Sequence, residues 1–253
     1  MKVLGVIPAR YASSRLPGKP LLDICGHPML WWVYNRVNAL DKLSDVCVAT
    51  DDERIESFCK GSGIPVVITS KWHRTAADRL QEVSEKIHAD FYLQINGDEP
   101  LINVRAVSAA IPDEIPQNIE FGTNIITEMT EPAQVMDASN IKIVFNADMN
   151  ALYMSRTPIP YPFKAVGFKY YKHVGIIGYN KKMLDFYKAT QPGRLETIEG
   201  IDTMRFIDYG KQLKFIIVPG CKSLSVDTDK DLEIVRQMVE RLRPDIYEIS
   251  DSN

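Results

Sequence analysis

The chain begins MKVLGVIPARYASSRLPGKP, from Met1 to Pro20, and this stretch sets its architecture. Residues 3–7 form a short apolar run typical of a buried strand. Residues 8–20 form a loop rich in Arg, Ser, Gly and Pro, and residues 28–40 carry apolar side chains at helical spacing. The opening unit is therefore predicted to be a strand, a loop and a helix.

The same alternation continues over the first hundred residues. Further strands are predicted at residues 45–50, 65–69 and 91–95, and helices at residues 51–60 and 78–87. Strands that alternate with helices are typical of a parallel sheet with helices on both faces. The sequence therefore predicts an α/β fold with a doubly wound, mostly parallel sheet.

The second half of the chain has a different pattern. Residues 121–129 and 140–146 read as longer strands, and a turn at residues 148–150 leads into a strand at 151–155, which indicates an antiparallel part. Three prolines within residues 157–163 exclude a helix there and predict an extended arm. A strand at 170–179, helices at 181–189 and 195–209, a strand at 213–218 and a helix at 228–242 complete the prediction.

Composition excludes several classes of function. The 253 residues carry 30 Lys and Arg against 33 Asp and Glu, so no large positive field draws the chain to nucleic acid or to a membrane surface. No apolar stretch approaches the roughly 18 residues of a membrane span, and the N-terminus lacks the cleavage site of a secretory leader. Four widely spaced cysteines indicate neither a zinc site nor a redox pair and fit a reducing cytoplasm.

The loop after the first strand carries the clearest chemistry. Its cations and hydroxyls are Arg10, Ser13, Ser14, Arg15 and Lys19. A loop at the carboxyl end of a first parallel strand lies where open α/β sheets bind ligands, and these groups suit a polyphosphate. The loop lacks the glycine patterns of the well-understood phosphate loops, so a solvated basic loop is an equal alternative on these residues alone. The missing glycines also argue against a dehydrogenase.

The run IPARYASSRLPGKPL at residues 7–21 resembles the signature of the cytidylyltransferases that activate acidic sugars. It is most similar to the CMP-Kdo synthetase family, the 3-deoxy-manno-octulosonate (Kdo) cytidylyltransferases, and more distantly to CMP-sialic acid synthetases. Further motifs follow in the same order: ATD at 49–51, GDEP at 97–100, ALYMSR at 151–156, PIP at 158–160, HVGI at 173–176 and VDT at 226–228. The resemblance thus covers nearly the whole chain.

The resemblance implies a Rossmann-like nucleotidyltransferase domain over residues 1–253, with a smaller antiparallel lobe at about 121–180 for acceptor binding and dimerisation. It implies a cytoplasmic homodimer that joins CTP to an acidic sugar with Mg²⁺, releases pyrophosphate and serves lipopolysaccharide biosynthesis. Such a reaction is a displacement at the α-phosphorus, in which the enzyme mainly positions the reactants and neutralises charge.

The resemblance also assigns roles to individual residues. Arg10, Lys19 and Asp98 are the expected catalytic residues, and Asp98 shares Mg²⁺ with Asp227. The expected nucleotide-binding residues are Pro8, Ala9, Arg10, Ser13, Arg15, Lys19, Arg79 and Gln94. Two positions have structural alternatives, because Asp227 can cap the last helix and Gln94 can be a polar strand residue with satisfied hydrogen bonds.

The expected acceptor-binding residues are Arg156, His173, Ile177, Glu199 and Asp202. Here the chain departs from the family pattern: Thr75-Ala76-Ala77 replaces Ser-Gly-Thr, Ile177 replaces Tyr, and Asp202-Thr203 replaces Glu-Gln. A polar pocket that loses a hydroxyl changes its discrimination between substrates. We therefore expect CTP use to be preserved and the acceptor to be Kdo or a modified 3-deoxy-ulosonic acid. A phosphonate acceptor and a weakly catalytic CTP-binding homologue are the alternatives, and His173 can also be a hydrogen-bonded core residue.

Overall fold

The structure is a computed structural model that describes residues 1–12, 16–164, 167–221 and 224–247, with the side chains of 243–247 left aside. Its centre is a nine-stranded sheet whose main path runs β11-β7-β10-β6-β1-β4-β5. The strands are β1 (Val3–Ala9), β2 (Asp23–Ile24), β3 (His27–Pro28), β4 (Asp45–Thr50), β5 (Val66–Ile68), β6 (Phe91–Ile95), β7 (Phe121–Met129), β8 (Lys142–Phe145), β9 (Ala151–Ser155), β10 (Tyr170–Asn180) and β11 (Gln212–Ile217).

Along the main path of the central sheet, most neighbouring strands run parallel. β1 pairs in parallel with β4 and β6, β4 with β5, and β7 with β11. β10 is the reversed strand and lies antiparallel between β6 and β7. The predicted α/β architecture with a mostly parallel sheet is therefore confirmed.

The helices are α1 (Met29–Asn38), α2 (Glu53–Gly61), α3 (Ala76–Lys86), α4 (Val104–Ala109), α5 (Pro132–Met136), α6 (Lys181–Ala189), α7 (Arg194–Glu199), α8 (Met204–Asp208) and α9 (Asp229–Tyr247). The alternation of side chains along β1 separates two apolar clusters. Val3 and Ile7 pack with α1, α2 and α4, whereas Leu4 and Val6 pack with α3, α6 and α8. Helices therefore cover both faces of the sheet.

A third apolar cluster joins the two ends of the chain. α9 contributes Leu232, Val235 and Val239, which pack against Trp32 of α1 and Ile24 of the β2–β3 hairpin. No helix in the described part of the chain combines the length and the apolar character that crossing a membrane requires.

The antiparallel part is built on β10. β8 pairs with β9 and with β10 off the main path of the central sheet, whereas β7 and β10 lie on that path. The assignment of residues 121–180 to acceptor binding and dimerisation stays a prediction.

One predicted element is wrong in detail. The stretch 195–209, predicted as a single helix, forms the two short helices α7 and α8. Gly200 ends α7 with φ of 63°, a left-handed conformation that a glycine adopts without steric cost. The helix therefore stops there and the chain turns before α8 begins.

Candidate active site

The site lies at the carboxyl ends of β1 and β6, which are neighbours in the sheet. Arg10 follows β1 directly, and Asp98 lies in the turn after β6. A hydrogen bond of 2.9 Å from the Val226 amide to the Asp98 carbonyl brings the segment before α9 to the same edge. Ligands bind at this edge in open α/β sheets, because the loops there diverge and leave a crevice.

Lys19 connects the two carboxylates that the sequence singles out. Its Nζ lies 2.7 Å from Oδ2 of Asp98 and 3.2 Å from Oδ1 of Asp227. Lys19 opens a short 3-10 turn that begins after Gly18, whose φ of 70° favours glycine. A Cβ on Gly18 would also press against the Tyr11 ring. The loop geometry therefore aims the lysine at the two acids.

The charge of Lys19 is held by its neighbours. Burial alone would lower the pKa of this lysine, but the attraction and hydrogen bonds of Asp98 and then Asp227 outweigh burial and raise it. Lys19 is therefore an ammonium at neutral pH, as binding a phosphate anion requires.

A cavity of about 460 Å³ opens over these groups. It is lined by Pro8, Ala9, Arg10, Ala12, Lys19, Pro20, Arg74, Ala76, Asn96, Gly97, Asp98 and Asp227. Six residues that the sequence assigned to nucleotide or metal thus lie around one space. Arg74 and Asn96 also line this cavity and were not predicted as site residues from the sequence. The position of Asn96 at the end of a buried strand, directly before Gly97, was a signal that could have identified it.

A second cavity of about 650 Å³ shares Arg10 and Ala12 with the first. On one side the Arg54 guanidinium stacks on the Tyr11 ring, 3.2 Å from its centre. On the other side the Arg10 guanidinium donates a 3.0 Å hydrogen bond to the His73 carbonyl. His73 Nε2 in turn lies 2.5 Å from the Glu82 carboxylate. The loop before α3 is thereby fixed against the loop after β1.

Arg79 and Gln94 line neither of the two cavities. Arg79 is fully buried, donates to the Thr69 hydroxyl and forms an ion pair with Asp51, which lines the second cavity. Its burial lowers the pKa of the guanidinium, and the nearby Asp51 opposes that shift. Gln94 is buried on β6 and its amide lies 3.5 Å from Asn96 Oδ1. Nucleotide contacts of Arg79 and Gln94 stay predictions. Ser13 and Arg15 lie outside the described residues.

Arg156 and Glu199 form a hydrogen-bonded unit beside β9. The Arg156 guanidinium donates to the carbonyls of Glu199, Ala138 and Gly200. The Glu199 carboxylate accepts from the Ser155 hydroxyl at 2.7 Å and from the Arg156 amide at 3.0 Å. Burial would raise the pKa of Glu199, but these hydrogen bonds outweigh burial and lower it. Both side chains are thus held by protein groups, and their contact with an acceptor stays a prediction.

The other three acceptor positions have different surroundings. His173 is partly buried on β10, and its Nδ1 lies 2.8 Å from Asn124 Oδ1. Ile177 is 2% exposed and packs in the apolar cluster of α3, α6 and α8. Burial raises the pKa of Asp202, which accepts a 2.9 Å hydrogen bond from the Thr203 amide. Ile177 and Asp202 line neither of the two cavities described above, and their roles stay predictions.

Asp98 and Asp227 suit a divalent metal ion. Both reach the same Lys19 ammonium, so their oxygens converge on one region of the cavity. Within the described residues, no group of three or more His, Cys, Asp and Glu side chains is arranged to hold a metal. Mg²⁺ fits two carboxylates, because it retains waters and completes its shell with phosphate oxygens of a substrate. The donor set of this cavity therefore fits Mg²⁺ brought in with a nucleotide.

The model of the cytidylyltransferase family matches residues 4–217. The chain belongs to this family. The 3-deoxy-manno-octulosonate cytidylyltransferase of Escherichia coli is 37% identical over 238 residues, covering 94% of this chain and 96% of that protein. The 8-amino-3,8-dideoxy-manno-octulosonate cytidylyltransferase of Shewanella oneidensis is 35% identical over 250 residues, covering 97% of this chain and 100% of that protein. A solved structure of CMP:2-keto-3-deoxy-manno-octonic acid synthetase complexed with CTP is 36% identical with a TM-score of 0.87, covering 95% and 99% of the two chains.

The first departure from the cytidylyltransferase pattern has a structural account. Thr75 caps α3 by accepting a 3.1 Å hydrogen bond from the Asp78 amide, and the Asp78 carboxylate accepts from the Thr75 amide at 3.0 Å. This reciprocal capping box satisfies backbone donors that a helix start would otherwise leave unpaired. Thr75-Ala76-Ala77, which stands where the family has Ser-Gly-Thr, therefore still begins a well-formed helix. Ala76 lines the first cavity.

Proposed function

We propose that this cytidylyltransferase joins CTP to an acidic 3-deoxy-ulosonic sugar, Kdo or its amino-modified form, and releases pyrophosphate. The observation that carries the proposal is the Lys19 ammonium between Asp98 and Asp227, with Arg10 lining the same cavity at the carboxyl edge of the sheet. Cations and paired carboxylates together suit a triphosphate with a divalent ion.

The chemistry follows from the charges in this cavity. A sugar hydroxyl attacks the α-phosphorus of CTP, forms a new oxygen–phosphorus bond and releases its proton to water. The bond from the α-phosphorus to the bridging oxygen breaks on the opposite side, and that oxygen leaves on pyrophosphate. Arg10 and Lys19 neutralise the charge that grows on the departing oxygens, so their contribution increases as the bond breaks.

Asp98 and Asp227 would hold Mg²⁺. The ion, when bound, polarises the phosphate oxygens and lowers the pKa of the attacking hydroxyl. Lys19 also lines this cavity, where its ammonium would contact the negatively charged triphosphate.

The names of the relatives support the choice of acceptor class. The Escherichia coli protein acts on 3-deoxy-manno-octulosonate and the Shewanella oneidensis protein on the 8-amino-3,8-dideoxy sugar, at nearly equal identity to this chain. Both sugars are eight-carbon 2-keto acids that differ at carbon 8. We therefore infer an acceptor of this class, whose activated form serves lipopolysaccharide biosynthesis.

A cytoplasmic homodimer is part of the proposal. The proline-rich arm exposes Tyr161 and Phe163, which are 83% and 81% accessible to solvent. Large aromatic side chains with such exposure are typical of protein contacts. No disulfide bond links the cysteines, all of which lie in the described part of the chain, and this fits a reducing compartment.

Pyrophosphate release by the purified chain tests the proposed function. CTP, UTP and ATP are each offered with Mg²⁺ against Kdo, 8-amino-Kdo, sialic acid and a set of small phosphonates. We expect release with CTP and one or both octulosonates, and its loss when EDTA removes the metal. Release only with a phosphonate would mean that the acceptor is a phosphonate and not an octulosonate. CTP binding without turnover with any acid would indicate a binding protein.

A further inference from the structure

Asn124 of β7 is a fully buried polar residue in the middle of the sheet. Its amide nitrogen donates to the Val174 carbonyl at 2.8 Å and to the Ile176 carbonyl at 3.1 Å. Both carbonyls lie where the pairing of β10 with β7 shifts register between His173 and Ile177. The side chain thus takes over the hydrogen bonds that the interrupted ladder leaves unpaired.

These contacts fix which way the Asn124 amide points. A carbonyl oxygen can only accept a hydrogen bond, so the NH₂ group must face Val174 and Ile176. The amide oxygen is then the atom 2.8 Å from His173 Nδ1. This oxygen can also only accept, so the proton of a neutral His173 ring is held on Nδ1 and its Nε2 carries the lone pair.

The ring of His173 is neutral at physiological pH. Burial removes water from the ring and lowers the pKa of His173 to about 4. A neutral imidazole exists as two tautomers, and the hydrogen bond of one nitrogen selects which is present.

The irregular part of β10 lies beside the first cavity. Gly175 packs so closely on the Asn96 side chain that a Cβ at this position would overlap the amide. Asn96 lines the cavity, and Ile176 pairs with Ile95 at the end of β6. His173 is only partly buried, and its Nδ1 edge faces inward to Asn124. The opposite edge carries Nε2, which forms no hydrogen bond with the described residues.

We propose that Asn124 is a positioning residue that holds His173 as the Nδ1–H tautomer, so that Nε2 accepts a hydrogen bond from a hydroxyl or ammonium group of the sugar acceptor. This inference rests on the proposed function. A nitrogen that can only accept a hydrogen bond repels a carboxylate and favours a hydrogen-bond donor. His173 therefore binds the polyol part of the sugar and not its acid group.

Nitrogen NMR tests the tautomer without any substrate. The full chain is labelled with ¹⁵N-histidine, and the His173 signals are assigned among the four histidines by their loss in His173→Gln. We expect a protonated Nδ1 and an unprotonated Nε2 at pH 7. A protonated Nε2, or a doubly protonated ring at that pH, would overturn the proposal. This result does not depend on whether the chain turns over CTP.

Steady-state kinetics test the contact with the sugar. His173→Phe keeps a ring but removes both nitrogens, and we expect KM for the octulosonate to rise roughly tenfold while KM for CTP stays within about twofold. Asn124→Ala should shift the acceptor KM in the same direction. Asn180→Ala is the matched control, because Asn180 is also fully buried on β10 and donates to two carbonyls, those of Pro116 and Ile119.

The outcomes separate the two proposals. An unchanged acceptor KM in His173→Phe would overturn the contact with the sugar even when pyrophosphate is released normally. An equal effect in Asn180→Ala would reduce Asn124 to a structural role. If Asn124→Ala does not fold, the NMR spectrum of the unaltered chain and the kinetics of His173→Phe still decide. Wild-type protein without turnover would instead count against the proposed function, while the spectrum still decides the tautomer.

Discussion

The Lys19 ammonium lies 2.7 Å from the Asp98 carboxylate, although 79 positions separate the two residues in the sequence. Parallel pairing of β1 with β6 explains this proximity, because it brings the loop after one strand beside the turn after the other. A cation held by a carboxylate is poised at the point where a triphosphate and its metal would meet. This pair is therefore the centre of the proposed mechanism.

Neutral replacements of this pair should abolish most of the turnover. We expect Lys19→Gln and Asp98→Asn each to lower kcat/KM for CTP on the order of 10³-fold, because each removes a charge that stabilises the departing pyrophosphate or its metal. The control is Lys2→Gln, since Lys2 forms an exposed ion pair with Asp45 at the amino end of the sheet. A loss below tenfold in both site variants would contradict the assignment.

Asp231 should position Asp227 for the metal. The Asp231 carboxylate accepts from the Asp227 amide at 3.1 Å and from the Thr228 amide at 2.9 Å, and thus caps the start of α9. We expect Asp231→Ala to lower the free energy of unfolding by about 1 kcal/mol and to weaken Mn²⁺ binding. Urea unfolding and electron paramagnetic resonance with Mn²⁺ and CTP measure the two effects.

The control for Asp231 is Glu233→Ala, an exposed acid on the same helix that pairs with Gln237. This variant should keep Mn²⁺ affinity. Equal weakening of Mn²⁺ binding in both variants would mean that the general charge of the helix, and not the cap, accounts for the effect.

Acid should loosen the loop before α3 through Glu82. Burial would raise the pKa of Glu82, but hydrogen bonds from Lys86, the Ser70 amide and His73 outweigh burial and lower it to about 2. Because the folded pKa lies below the ordinary value of 4.5, the ionised carboxylate stabilises the fold above pH 4.5, and this contribution is lost as pH falls towards 2.

The unfolding free energy of the wild type should therefore fall more steeply between pH 4.5 and pH 2 than that of Glu82→Gln, which cannot titrate at this position. Urea unfolding at a series of pH values measures both slopes. Parallel curves for the two proteins would show that the loop does not depend on the Glu82 charge.

The Arg205–Glu196 pair should be important for stability. Two hydrogen bonds of 2.7 Å join the side chains, which are 7% and 9% exposed. Removal of one partner leaves a buried charge uncompensated, so we expect Arg205→Met to cost roughly 3–5 kcal/mol. The double variant with Glu196→Met should lose less free energy of unfolding than Arg205→Met alone. If the double variant loses more free energy of unfolding than Arg205→Met, the pair stabilises the fold by more than the cost of leaving one buried charge unpaired.

Much of the fold followed from local pattern. Short apolar runs alternating with helical spacing predicted the parallel strands, and the residues directly after β1 and β6 could be predicted as site residues because strand ends meet at one edge. Gly200 was a sequence signal for the end of α7, because a glycine readily adopts the left-handed conformation that ends a helix. Asp227 was different, because it precedes the last helix and only the family resemblance linked it to Asp98.

The positions and contacts of the expected acceptor-binding residues could not be predicted in the same way. Alternation along a strand assigns faces only while the register is regular, and β10 shifts register between His173 and Ile177. The partner that orients His173 is Asn124, on a strand 49 positions away, and no local pattern connects them. Arg74 likewise lines the first cavity because of how its loop folds, and no local sequence pattern predicts that position.

Phosphorus NMR of the reaction tests whether CMP is transferred to the sugar at the Asp98 site. Wild-type protein and Asp98→Asn are each incubated with CTP, Mg²⁺ and Kdo or 8-amino-Kdo, and the fate of the α-phosphorus is recorded. We expect the wild type to convert CTP into a CMP–sugar phosphodiester and an equal amount of pyrophosphate, and Asp98→Asn to leave CTP intact. Release of CMP and pyrophosphate without a sugar phosphodiester, or undiminished turnover in Asp98→Asn, would contradict this expectation.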